Sequence, residues 1–195
     1  MNFALIGLGS FCSNYHIPNL LKRSDVKVTA ICDISQERLD GRDERLASTT
    51  AYTDPRKLLD SINIAGLIVS TPNASHFEIC RDALGQDIPV LVDKPITVRS
   101  EDAQDLVDLS KRLDCVLMTA FTRRFMLSTE YLRRRIHSEK VDVQTIAAVQ
   151  RRSKIKARTK DGGKLHHRTG HVIDLLAWLT DPSIVSVNAV IRYED

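Results

Sequence analysis

Short runs of continuous apolar, β-favouring residues alternate with amphipathic stretches through the first two thirds of the chain, and this alternation constrains the fold most. The runs are Phe3–Leu8, Val26–Cys32, Leu67–Ser70, Val90–Val92 and Val116–Phe121. Between them lie Ser35–Ala47, His76–Leu84 and Glu101–Leu113, with apolar residues at helical spacing. A strand that is apolar at successive positions is buried on both faces, as in a parallel sheet covered by helices. The order therefore predicts an α/β fold with a doubly wound parallel sheet. Ser35 is suited to cap a helix, and Thr53-Asp54-Pro55 opens another with proline in the first turn. Ser100 leads into Glu101 and Asp102, acids that favour a helix N-terminus.

After Phe121 the pattern changes. Ser128–Ser138 reads as a helix, Val143–Arg151 as a strand, His171–Thr180 as a helix and Ile184–Arg192 as a strand. This is an α+β remainder. The expected domains are residues 1–121 and 122–195.

With 195 residues, 43% hydrophobic and 27% charged, the chain can bury a sizeable core. A net charge of +3 does not call for nucleic acid as a partner. Met1–Gly7 lacks the basic region and cleavage site of a signal peptide, and no apolar run approaches the ~20 residues of a membrane span. Cys12, Cys32, Cys80 and Cys115 are too widely spaced for a C-x-x-C pair, so free thiols in a cytoplasmic protein without membrane attachment are expected.

Gly7-Leu8-Gly9-Ser10-Phe11-Cys12 follows the first strand and opens a helix. A dinucleotide loop uses its first glycine for a tight turn, its second for close approach of the pyrophosphate, and a small third residue for helix packing. Here Cys12 is the third. Glycine at such a turn also serves geometry alone. Asp33, closing the second run, is placed to accept hydrogen bonds from the adenosine ribose, or to cap the turn that follows it. An acid there repels a 2′-phosphate and favours NAD over NADP, although Arg38, one turn on, is able to reach a phosphate.

Ser70-Thr71-Pro72-Asn73-Ala74-Ser75-His76, Asp93-Lys94-Pro95, Arg124-Phe125, Gly162-Gly163-Lys164-Leu165 and His171-Val172-Ile173-Asp174 occur in that order. With them the chain resembles the glucose–fructose oxidoreductase, inositol dehydrogenase and MocA-like family, and the match runs through nearly the whole chain. The resemblance implies a Rossmann domain followed by an α+β domain, here a truncated one. It also implies NAD(P)-dependent oxidation of a secondary alcohol of a sugar, cyclitol or related, possibly anionic, small molecule. Thr71, Pro72, Asn73, His76, Asp93 and Lys94 would flank the cofactor together with Gly7, Gly9, Ser10, Phe11, Cys12 and Asp33. Lys94 and His171 would be catalytic, with Arg124 and Asp174 toward the substrate. The Lys94-Pro95 bond is a candidate for the cis form. His16 reads as a structural residue or, from the family pattern, a cofactor-side one.

The chain departs from the family in places. Aspartate stands for glutamate at Asp93, His167 occupies an aspartate position, and Thr169 stands where glycine is common. His167 would then replace the carboxylate or be solvated. Family members are also usually longer. A rival reading follows: a catalytically inactive dinucleotide-binding protein acting by binding or oligomerisation. Under either reading the Ile184–Arg192 strand would leave a sheet edge, so a homo-oligomer through that sheet is expected. His166 and His167 have no cysteine or carboxylate cluster beside them, and no metal is expected. The basic run Arg151–Lys160 suits an anionic substrate or a solvated loop, and without interleaved aromatics it does not suggest nucleic acid.

Overall fold

The computed structural model describes residues 1–61, 63–149, 163–181, 186 and 188, with 163–168 described as backbone only. Two compact units are present: among the described residues the first is built on 1–120 and 163–167, and the second on 121–149 and from 168 onward.

The first unit is a six-stranded parallel sheet in the order β3-β2-β1-β4-β5-β6. Its strands are β1 (Asn2–Ile6), β2 (Lys27–Cys32), β3 (Thr50–Tyr52), β4 (Gly66–Val69), β5 (Val90–Val92) and β6 (Leu117–Thr119). Helices α1 (Ile17–Leu21), α2 (Gln36–Asp40), α3 (Pro55–Ser61), α4 (His76–Leu84) and α5 (Ser100–Leu113) make the crossovers. Strand order reverses between β1 and β4, which makes their C-terminal ends the switch point where such sheets bind ligands.

Both faces of the sheet are buried, as continuous apolar strands require. Ala4 and Ile6, Ala30 and Cys32, and Leu67 and Val69 face a core closed by Leu58, Ile79, Leu84 and Leu106. The intervening Leu5, Ile31 and Ile68 face a second core with Ile17, Leu39 and Leu46. Side-chain direction alternates along a strand, so each strand feeds both cores.

Two expectations need correction here. The stretch Ser35–Ala47 is not one helix: α2 ends at Gly41 and a separate 3₁₀ turn spans Glu44–Leu46. The Arg42 guanidinium donates to the Leu39, Leu46 and Ala47 carbonyls, satisfying acceptors that the break leaves open. Residues 143–149 of the expected Val143–Arg151 strand join no ladder, and Gln150 and Arg151 lie outside the described residues. A strand needs a partner for its backbone groups, and none of the described residues pairs with this one.

The second unit contains a 3₁₀ turn (Thr122–Phe125), α6 (Leu127–Ser138) and, from residue 168 on, α7 (Gly163–Thr180). Helix α7 begins two turns before the expected His171, running through Gly170 despite the cost of about 1 kcal/mol for glycine inside a helix. Arg133 lies over the Trp178 ring at 4.5 Å, and His137 Nε2 lies 3.2 Å from the Leu179 carbonyl, joining the two helices. The expected Ile184–Arg192 strand, with its sheet edge, and the basic run Arg151–Lys160 lie outside the described residues, Ser186 and Asn188 excepted. No helix among the described residues is long and apolar enough to cross a membrane.

Candidate active site

Gly7 leaves β1 with φ +93, a conformation open to glycine at little cost. A Cβ there would lie 2.5 Å from the Ser70 carbonyl oxygen, so the end of β4 also excludes any side chain. The loop is tied on both sides. Gly7 N donates to the Cys32 carbonyl at 2.8 Å, and Leu8 N donates to Asp33 Oδ2 at 2.7 Å. Gly9 differs: nothing lies within 4 Å of where its Cβ would stand. Open space over Gly9, beside the exposed Ser10 and Phe11, is what approach of a pyrophosphate requires. Cys12 is fully buried, filling the small-residue position. Burial first, then the Asp93 and Asp33 charges, push its thiol up to about 12.

Residues 10–21 wind continuously, but Cys12–His16 form a π turn in which Ile17 N donates to the Cys12 carbonyl. Cys12 and Ile17 are both buried and five residues apart, a spacing that i→i+5 winding brings into line.

Asp33 is 4% exposed and accepts from two backbone N–H groups, Leu8 and Ser35, the latter at 2.9 Å. The half-exposed Arg38 guanidinium lies 3.4 Å from its Oδ2. The carboxylate thus tightens the glycine loop as well as standing at the end of β2.

Lys94 follows β5 in a tip held from several sides. Asp93 N donates to the Val69 carbonyl at 2.9 Å. The Asp93 carboxylate lies 2.9 Å from His16 Nε2 and accepts from Ser70 Oγ at 2.5 Å. The Lys94-Pro95 peptide bond is cis. His76, expected at the cofactor, is instead fully buried. Its Nδ1 lies 2.9 Å from the Pro95 carbonyl oxygen and its Nε2 2.9 Å from that of Thr71. The ring thus lies between the Thr71 turn and the Lys94 tip, with one nitrogen at hydrogen-bond distance from each backbone carbonyl. Asn73 is buried as well, while Thr71, whose Oγ1 lies 2.8 Å from Ser75 Oγ, and Pro72 keep partial or full exposure at the sheet's C-terminal edge.

Sequence reasoning passed over Ser70 and left His16 unresolved. His16 and Asp93 are 77 residues apart, and the π turn that joins them has no marker in residue type.

In the second unit, Arg124 and Asp174, expected on the substrate, are paired with each other. Arg124 Nε donates to Asp174 Oδ2 at 2.9 Å and its Nη2 donates to Oδ1. Arg124 also lies over the Phe121 ring at 5.4 Å, and that ring meets His171 edge-on at 6.1 Å. His171 is half-buried on α7. His167 is on the same helix, with its side chain outside the described residues.

A family model described as an oxidoreductase family with an NAD-binding Rossmann fold matches residues 1–121. The chain is 26% identical over 199 residues to D-glucoside 3-dehydrogenase of Escherichia coli, covering 97% of this chain and 57% of that protein. It is 30% identical over 125 residues to myo-inositol 2-dehydrogenase of Thermotoga maritima, covering 64% of this chain and 37% of that one. A dehydrogenase structure from Chromobacterium violaceum superposes with TM-score 0.86 at 21% identity, covering 100% of this chain and 59% of that one. The chain thus spans little more than half the length of such relatives. It belongs to the glucose–fructose oxidoreductase, inositol dehydrogenase and MocA family of oxidoreductases, built on an NAD-binding Rossmann fold.

Proposed function

We propose that this chain is an NAD(P)-dependent oxidoreductase that interconverts a secondary alcohol of a sugar, cyclitol or related small molecule with its ketone. One juxtaposition carries the reading: an open glycine loop and a rigidly held lysine tip at the same C-terminal edge of the sheet. The similarity to a D-glucoside 3-dehydrogenase and a myo-inositol 2-dehydrogenase supports a cyclic polyol as substrate class.

The residues present fit the dinucleotide. The loop of Gly7, Gly9 and Ser10 would take the pyrophosphate on backbone N–H groups, and Asp33 would take the adenosine ribose hydroxyls. A 2′-phosphate against Asp33 meets like charge, which favours NAD. Arg38 is the cation beside it that would offset this for NADP. When bound, the dinucleotide supplies a nicotinamide that takes up or returns a hydride. The chain's own part is to handle the hydroxyl. The Lys94 ammonium would polarise the carbon–oxygen bond, and the His171 imidazole would accept or return the hydroxyl proton. Asp174, one turn further along α7, would hold the helix that carries His171 through its pair with Arg124.

The test is turnover with NAD⁺ and NADP⁺ on a panel of cyclitols, D-glucosides and sugar acids. Lys94→Ala is expected to lower kcat by about 10²-fold or more while NADH still binds. Full turnover by Lys94→Ala would overturn the assignment. NADH binding without turnover on any member of the panel would favour the non-catalytic reading.

A further inference from the structure

The feature that this function leaves unexplained is the buried arrangement on one side of Lys94. The Asp93 side chain is 15% exposed and that of His16 is 12% exposed. A carboxylate at that depth needs partners, and its two come from separate elements. His16 stands at the end of the π turn and Ser70 at the end of β4. Without the wide turn, Cys12 and Ile17 would not both face the core, and the ring beside Ile17 would not be delivered to Asp93. Phe11 packs edge-on against the His16 ring with centroids 5.2 Å apart, and Tyr15 lies 4.9 Å from Phe11, so the imidazole is fenced as well as bonded. On the other side of the tip, His76 engages the Pro95 carbonyl. Lys94 lies between two residues whose positions are each fixed by an imidazole.

We propose that His16 is a positioning residue for Lys94: its Nε2–H donates to Asp93 Oδ1 and, with Ser70 Oγ–H on Oδ2, holds the strand tip so that the lysine is presented in one orientation. This rests on Lys94 being the lysine that acts in the proposed reaction. Successive Cα atoms are about 3.8 Å apart, so loosening the Asp93 anchor is passed directly to Lys94. A displacement on the order of 1 Å at a catalytic group can cost about 10²-fold in rate.

The stereochemistry makes a specific demand. A glutamine amide nitrogen reaches about as far along the side chain as Nε2 of histidine, whereas an asparagine amide stops near Nδ1. His16→Gln should therefore keep the tip in place, and His16→Asn and His16→Leu should release it. The readout is the ¹³C-dimethyl-lysine signal of Lys94 in the reductively methylated chain, identified by its loss in Lys94→Arg. Wild type and His16→Gln are expected to give the same single signal. His16→Leu and His16→Asn should move or split it. Should His16→Leu fail to fold, Ser70→Ala removes the other donor and is expected to shift the same signal. An unmoved Lys94 signal in the folded variant, or glutamine as disruptive as leucine, overturns the proposal. The signal is read without dinucleotide, so failure of NAD⁺ to bind would refute the functional reading and leave this test standing.

Discussion

The two units hold their candidate functional side chains in different ways. In the first, both faces of the sheet are sealed by helices, and Lys94 follows a carboxylate whose partners are themselves largely buried. In the second, Leu179 is the sole buried apolar side chain among the described residues, and Phe125, Leu127, Tyr131 and Ile173 are more than half exposed. There, His171 meets the Phe121 ring edge-on, and that ring is overlain by Arg124, which is forked to Asp174. A sheet supplies rigidity through its ladder and core, whereas a helix pair must draw it from individual polar contacts. Substitutions in the first unit should therefore act through packing and backbone, and in the second through single ion pairs.

The largest effect is expected at Gly7. Gly7→Ala combines a positive φ with a Cβ driven into the Ser70 carbonyl, neither of which a flexible neighbour can relieve. A loss on the order of 4 kcal/mol, or failure to fold, should appear in urea unfolding. A loss under about 1 kcal/mol would show that the end of β4 is free to shift.

Leu58→Ala empties a fully buried site between α3 and the sheet and should cost about 3 kcal/mol. The matching change on α6, Leu132→Ala at a site 46% exposed, should cost no more than about 0.5 kcal/mol. Equal losses would erase the contrast between the units.

Arg124→Ala strands the Asp174 carboxylate, whose side chain is 8% exposed, and should cost about 2 kcal/mol. The loss is best seen as faster amide exchange along α7. Arg124→Lys cannot reproduce the two-pronged contact and should recover only part of it. Unchanged exchange in Arg124→Ala would mean that packing alone holds α7.

Alkaline pH tests the burial in the first unit separately from any substitution. Burial pushes the thiols of Cys12, Cys32 and Cys80 up from 9.0 to about 12. These folded-state values are raised, so above about pH 9 the unfolded chain releases protons that the folded chain keeps. Their contribution is complete below pH 9 and is lost as pH rises toward 12. Stability should fall by up to about 1.4 kcal/mol per pH unit for each thiol in that window. Urea midpoints from pH 8 to pH 10 that stay level, or rise, would contradict the burial of these thiols.

The parallel sheet was legible because five of its strands lie in short, predominantly apolar runs. Strand β3 was not: Thr50, Ala51 and Tyr52 form an edge strand with two exposed positions and no apolar run to mark it. Gly7, Gly9 and Asp33 stood out by their places after apolar runs, and Lys94 by the family resemblance, because a glycine loop and a strand tip are local features. What they touch did not. The Leu8–Asp33 bond spans 25 residues, His16–Asp93 spans 77 and Arg124–Asp174 spans 50, and each exists only after the chain has folded. His76 shows the same limit from the other side. Its motif marks it for the cofactor, while its depth and the Pro95 and Thr71 carbonyls beside it appear only in the fold.

The central claim is that a dinucleotide sits on the loop between Gly7 and Cys12. Gly7 and Gly9 make the test sharp, because one lacks room for a side chain and the other has it. Calorimetric titration of NADH into the native chain and into Gly9→Ala addresses it directly, with urea unfolding confirming that the variant is as stable as the parent. The account predicts saturable one-to-one binding to the native chain and affinity weaker by about tenfold or more in Gly9→Ala, where the new methyl group occupies the approach to the loop. Equal affinity in the two proteins, or no heat from the folded native chain with either NADH or NADPH, would contradict it.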